Sequence, residues 1–145
     1  MKKVAIALFA CAVVAAAAQQ VKPESQIKYR RGAYEVMNLS MSHLGAMAEE
    51  KKPFNPEEAQ RYADIIAMVS TIPRENFGEG TDKDTKAKPE IWTKRAEFDR
   101  KMDKMVAEAG KLPAAARSGD MGSFKKQVSD VGSACKSCHD EFRAK

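Results

Sequence analysis

The stretch DMGSFKKQVSDVGSACKSCHDEFR, residues 120–143, decides the fold. Phe124, Val128, Val131, Cys135, Cys138 and Phe142 follow one another at alternating steps of four and three, which places them on one face of an α-helix. Asp120, just after Ser118 and Gly119, stands where a helix N-cap belongs. A helix with one apolar stripe has to bury it against other elements. Both cysteines occupy stripe positions, and His139 lies beside them on the edge of the same face.

Moving back along the chain, proline and glycine mark off three more helix-sized pieces. One starts at Pro89 and carries Ile91, Arg95, Phe98, Met102, Met105, Ala109 and Leu112 in the same rhythm, until Pro113 bends or ends it. Before it, the polar segment PRENFGEGTDKDTKAK, residues 73–88, has too few apolar residues for a core element. The next piece opens at NPEE, with Asn55 as cap, Pro56 in the first turn and Glu58 placed to complete a reciprocal cap. It carries Ala59, Tyr62, Ile65, Ile66, Val69 and Ile72 up to Pro73. The first piece runs from about Pro23 to Glu49 with a seam of Ile27, Arg30, Tyr34, Met37, Met41, Leu44 and Ala48, in which Arg30 is a charge on a stripe meant for burial. Four amphipathic helices without alternating strand patterns predict an all-α protein, an antiparallel four-helix bundle.

The chain has 145 residues, enough for one core. MKKVAIALFACAVVAAAA, residues 1–18, has the parts of a removable secretory signal: Lys2 and Lys3, an apolar run, then small residues. The working domain is then residues 19–145. A transmembrane anchor is the rival reading, but the run is short and lacks a charged far flank; lipid attachment at Cys11 is a second, and its LFAC context is poor. Loss of the leader leaves two cysteines, and 23 Lys and Arg against 20 Asp and Glu. Cations and acids alternate along most segments, so neither a nucleic-acid footprint nor a membrane-binding basic run is present. Export implies a periplasmic, oxidising setting, in which two cysteines three apart would ordinarily read as a disulfide or redox pair.

His139 changes that reading. Cys-x-x-Cys-His is the spacing of covalent haem attachment: on a helix, residues i, i+3 and i+4 point one way, so two thiols can bond the porphyrin's vinyl carbons while the imidazole reaches iron. A zinc site lacks further ligands, since the other histidine, His43, lies half a turn from Tyr34 on what reads as a solvent-facing side. A thiol–disulfide oxidoreductase would place its pair at a helix N-terminus, where the dipole lowers the thiol pKa; this pair is near a C-terminus.

With these residues in view, the sequence resembles the cytochrome c′ family, c-type cytochromes with haem attached near the C-terminus of a four-helix bundle. The resemblance spans the chain after the leader, through KPESQIKYR, KPEIW, SGD and VGSACKSCHDEFR. It implies one covalent haem c per chain, with Cys135 and Cys138 as anchors, His139 as the single protein ligand to iron and the opposite face left open. It further implies Arg30 near a haem propionate, Arg143 as a cation one turn beyond the histidine, and Tyr34 at the distal position. There Tyr34 could be a bulky wall, a hydrogen-bond donor to a bound diatomic, or a phenolate ligand. Related bundle cytochromes place a methionine near this point; Tyr34 stands there instead, although Met37 and Met41 share its face.

The expected role is that of a non-enzymatic electron carrier working with redox partner proteins and able to bind nitric oxide or carbon monoxide. A dedicated gas-binding module for scavenging or sensing is the first alternative; a six-coordinate, low-spin cytochrome with a methionine ligand is the second. The resemblance also implies a homodimer through the first helix; the charge pattern and the short leader predict no nucleic-acid partner and no membrane anchor.

Overall fold

The computed structural model describes residues 21–145, so the leader read at residues 1–18 lies outside the described residues. In chain order the elements are α1 (Pro23–Ala48), α2 (Pro56–Val69), a 3-10 turn (Pro73–Asn76), α3 (Glu90–Thr93), α4 (Arg95–Ala109), α5 (Leu112–Arg117) and α6 (Met121–Phe142). The four long helices, α1, α2, α4 and α6, form the bundle; the rest lie in the connections. Between α4 and α6, Lys94 meets Glu141, Lys101 meets Ser137 and Gln127 meets Glu108, so one number falls as the other rises and the pair is antiparallel. Likewise His43 near the end of α1 meets Tyr62 in the first half of α2.

Local chemistry sets most helix ends. The Asn55 side chain accepts the Glu58 N–H at 3.0 Å, and the Asp120 carboxylate accepts the Gly122 and Ser123 N–H groups at 3.2 and 2.9 Å. Glu58 does not complete the reciprocal cap: its carboxylate takes the Lys52 ammonium at 2.8 Å, a stronger charge-assisted partner. The piece read as one helix from Pro89 to Leu112 is broken at Lys94, whose φ and ψ of −114° and 43° leave the helical region. On either side of that break, Trp92 Nε1 donates to the Gly78 carbonyl at 3.2 Å and Arg95 Nη1 to the Phe77 carbonyl at 3.1 Å, so both are tied to the preceding segment. α4 has ended by Ala109, and Pro113 falls in the first turn of α5, where a missing N–H costs nothing.

Two apolar clusters fill the bundle. One, at the end holding the α1–α2 turn, contains Leu44, Met47, Ala63, Ile66, Phe124 and Val131. The other contains Met37, Phe77, Ile91, Phe98, Met102 and Phe142, with Phe98 packed edge-to-face on Phe77 and on Phe142. Residues 73–88, read as too poor in apolar residues for a core element, form only the short 3-10 turn, yet Phe77 from this segment is buried and Thr81 is fully enclosed. The buried row of α1 is Gln26, Arg30, Ala33, Met37, Ser40, Leu44 and Met47. It shares only Arg30, Met37 and Leu44 with the seam read from sequence. Polar Gln26 and Ser40 hid it, because their polar atoms find partners inside the fold: Gln26 on the nearby Val21 carbonyl and the distant Gly78 N–H, Ser40 on the Val36 carbonyl.

Candidate functional site

The C-terminal half of α6 delivers the two cysteines and His139 to the edge of the second cluster. The fully buried line of the helix runs through Ala134, while Cys135 and Cys138 are half-buried on its border, against that same cluster. The stripe reading therefore needs one correction: the thiols flank the core seam and do not sit within it. Neither thiol is in a disulfide. Burial pushes the Cys138 thiol up to about 11, against the opposing pull of the Lys101 ammonium, and raises Cys135 as well. Thiols raised in this way are poor at thiol–disulfide exchange, which depends on a lowered pKa. Their half-buried placement against an apolar cluster suits a site that holds a hydrophobic macrocycle through sulfur.

His139 is exposed, and among the described residues its imidazole makes no hydrogen bond or ion pair. Partial desolvation first, and the Arg143 guanidinium second, lower its pKa, favouring the neutral imidazole that ligates a metal. Arg143 follows the helix with an extended backbone, its N–H still donating to the His139 carbonyl at 3.1 Å. Two thiols one turn apart, an uncommitted imidazole next to them and an aromatic and methionine cluster beneath form a donor set that fits haem c.

Tyr34 comes from α1 to the same cluster as the cysteines. Its hydroxyl lies 3.9 Å from Met102 Sδ. Burial, and then the nearby Cys138, push the phenol above its ordinary pKa, so it stays protonated and the phenolate reading loses support. Met102, read from the sequence only as a stripe residue, is thus the methionine in contact with Tyr34; its neighbours on α1, Met37 and Met41, divide between the two clusters.

Arg30 is enclosed, as its stripe position required, but its partners belong to the protein. Nη1 donates to the Asn76 carbonyl and to Thr81 Oγ1, each at 2.9 Å, and Nη2 donates to the Thr81 carbonyl at 2.6 Å; the guanidinium also lies over the Phe77 ring at 4.2 Å. Nothing local to α1 predicts this anchorage, because Thr81 is fifty-one residues away. His43 corrects another reading. It is half-buried, stacked on Tyr62 at 4.2 Å between ring centroids and 3.3 Å from Glu58.

The family model for cytochrome c′ matches residues 25–143, nearly all of the described chain. The chain belongs to the cytochrome c′ family. It is 38% identical over 126 residues to cytochrome c′ of Rubrivivax gelatinosus, covering 86% of this chain and 98% of that one. The cytochrome c′ structure from Shewanella frigidimarina superposes with a TM-score of 0.84 at 36% identity, covering 87% of this chain and 99% of the other. A nitric oxide complex of a variant of the Alcaligenes xylosoxidans cytochrome c′ superposes with a TM-score of 0.81 at 31% identity over 88% and 99%. These likenesses agree with the all-α four-helix bundle and with covalently bound haem c, and they make the chain a c-type haem protein of the electron-carrier class. Among the described residues no helix is long and apolar enough to cross a membrane.

Proposed function

We propose that this cytochrome c′ holds its haem through thioether bonds at Cys135 and Cys138, takes His139 as the one protein ligand to iron, and leaves the other axial position open to nitric oxide or carbon monoxide. Haem c, when bound, supplies a one-electron couple and a coordination site for a diatomic gas. The observation that supports this reading is an uncommitted His139 imidazole next to two half-buried thiols that pack, together with the partly buried Tyr34 phenol, against one apolar cluster. A neutral phenol is a weak ligand, and its bulk crowds the space where a gas would bind. The nitric oxide complex of the relative supports the gas-binding part. Partial desolvation and then the Arg143 guanidinium lower the His139 pKa and so favour its neutral form, and Arg30 ties the segment around Asn76 and Thr81 to α1; an approach of Arg30 to a propionate would need it to share its guanidinium with Thr81.

Export to the periplasm follows from the leader at residues 1–18. A homodimer is supported by an exposed apolar row on α1, Tyr29, Val36 and Leu39, with Met68 exposed on α2. The six-coordinate alternative keeps one specific support, the Met102 thioether beside Tyr34. Absorption and magnetic spectra of both oxidation states decide between the two. High-spin iron that responds to nitric oxide and carbon monoxide is expected; a low-spin spectrum with a thioether signature in both states would reject the open site. Slow electron exchange combined with tight gas binding would favour a dedicated scavenging or sensing module over a carrier.

A further inference from the structure

Beyond α6 the chain runs extended beside residues 86–88. The Lys88 N–H donates to the Phe142 carbonyl at 3.0 Å and the Ala144 N–H to the Lys86 carbonyl at 2.8 Å, so Ala87 and Arg143 form an antiparallel bridge. The bridge has an electrostatic result. Lys86 and Lys88 on one segment and Arg143 and Lys145 on the other, distant in sequence, come to lie side by side. Lys94 and Lys101, at the start and on the flank of α4, extend the group across to α6.

Glu141 sits among these six cations and is already shared. Lys94 Nζ lies 3.4 Å and Lys101 Nζ 3.3 Å from its carboxylate, while Lys88 Nζ donates to its backbone carbonyl at 3.0 Å. The adjacent Lys136 and Asp140 pair with each other, and Glu90 and Glu97 lie on the neighbouring helices. Lys86, Arg143 and Lys145 are exposed and form no ion pair among the described residues. Holding so many like charges together is repulsive, yet the backbone pairing fixes them at the end of the helix that carries Cys138 and His139.

We propose that this face docks an electron-transfer protein bearing an acidic surface. The inference rests on the carrier role and adds to it the chemistry of the partner. A fixed positive field beside the attachment site draws an anionic partner to the end of the molecule that carries Cys138 and His139, and it acts chiefly on the encounter rate. An apolar partner would gain nothing from the uncommitted cations Lys86, Arg143 and Lys145, and a basic one would be repelled.

The test uses two haem-loaded variants of equal net charge: Lys86→Glu with Lys145→Glu on the proposed face, and Lys51→Glu with Arg117→Glu at the far end of the bundle. Neither Lys86 nor Lys145 makes a side-chain hydrogen bond among the described residues, so the first variant keeps the fold; circular dichroism checks this. Salt elution from immobilised poly-L-glutamate reads the chain alone. One-electron oxidation of the reduced protein by hexacyanoferrate(III), which becomes hexacyanoferrate(II), reads the encounter. The proposed-face variant should elute at clearly lower salt and react about tenfold more slowly at low ionic strength, with the far-end variant close to wild type. Equal effects from both variants would overturn the docking face, because net charge alone would then explain the binding. Loss of retention without electron exchange, with either hexacyanoferrate(III) or a cationic cobalt(III) oxidant in the wild type, would instead overturn the carrier role and the redox partner with it.

Discussion

The two histidines of the described chain sit at opposite ends of the bundle and are treated in opposite ways. His43, near the α1–α2 turn, stacks on Tyr62 and turns its Nδ1 to Glu58, which also holds Lys52, so the protein itself supplies partners for this ring. His139 lies beside two thiols, exposed, with no protein partner among the described residues. The surrounding clusters differ in the same sense. Around His43 the core closes on Leu44, Ala59, Ala63 and Ile66, all with no exposed surface. Around His139 the thiols and Tyr34 stay on the border of their cluster. One end of the bundle is finished by protein alone, and the other is arranged for a group the protein must acquire.

The sharpest way to break this contrast is at sulfur. Replacing Cys135 and Cys138 by alanine should abolish covalent haem completely, read as loss of haem stain on a denaturing gel, whereas His43→Asn should leave the stain unchanged. Retained stain in the double alanine variant would end the distinction between the two ends. A stability measurement probes the closed end next. Leu44→Ala removes a fully buried side chain and should cost about 2–5 kcal/mol in chemical denaturation of the holoprotein, with gas binding unaltered in the folded fraction. A cost below 1 kcal/mol would mean that this end is loosely packed.

Smaller effects sharpen the site end. Tyr34→Ala should speed carbon monoxide association about tenfold, equivalent to ~1.4 kcal/mol of barrier, as seen by flash photolysis; unchanged kinetics would remove Tyr34 as the guard. The smallest effect concerns Glu58. The Lys52 hydrogen bond, chiefly, holds its carboxyl below the ordinary value of 4.5 in the folded state. A lowered folded pKa contributes stability that is present above the unfolded pKa and is lost as pH falls through the folded one. Lys52→Met should therefore flatten the loss of melting temperature between pH 5 and 3, and an unchanged profile would show that the pair adds nothing.

The helices were legible because apolar residues and caps announce them: the 3-4 rhythm of α6 and the Asn55 and Asp120 caps needed no tertiary information. The Cys-x-x-Cys-His spacing was legible for the same reason, since one helical turn fixes the relation of its members. What escaped was long-range. Lys94 ends a helix because Trp92 and Arg95 are bound to residues 77–78, and Arg30 is buried because Thr81 and Asn76 receive it. The bridge between Ala87 and Arg143 leaves no periodic trace in either segment. His43 was misplaced because a helical wheel shows the angle of a side chain but not the length of the neighbour that covers it, here Tyr62.

Mass spectrometry of the protease-derived peptide that contains residues 135–139, taken from protein matured in a host that attaches haem, tests the central claim most directly. The account predicts one peptide carrying the full mass of haem, with fragment ions placing the addition on both Cys135 and Cys138. An unmodified peptide, or one with a disulfide between the two cysteines, would contradict it.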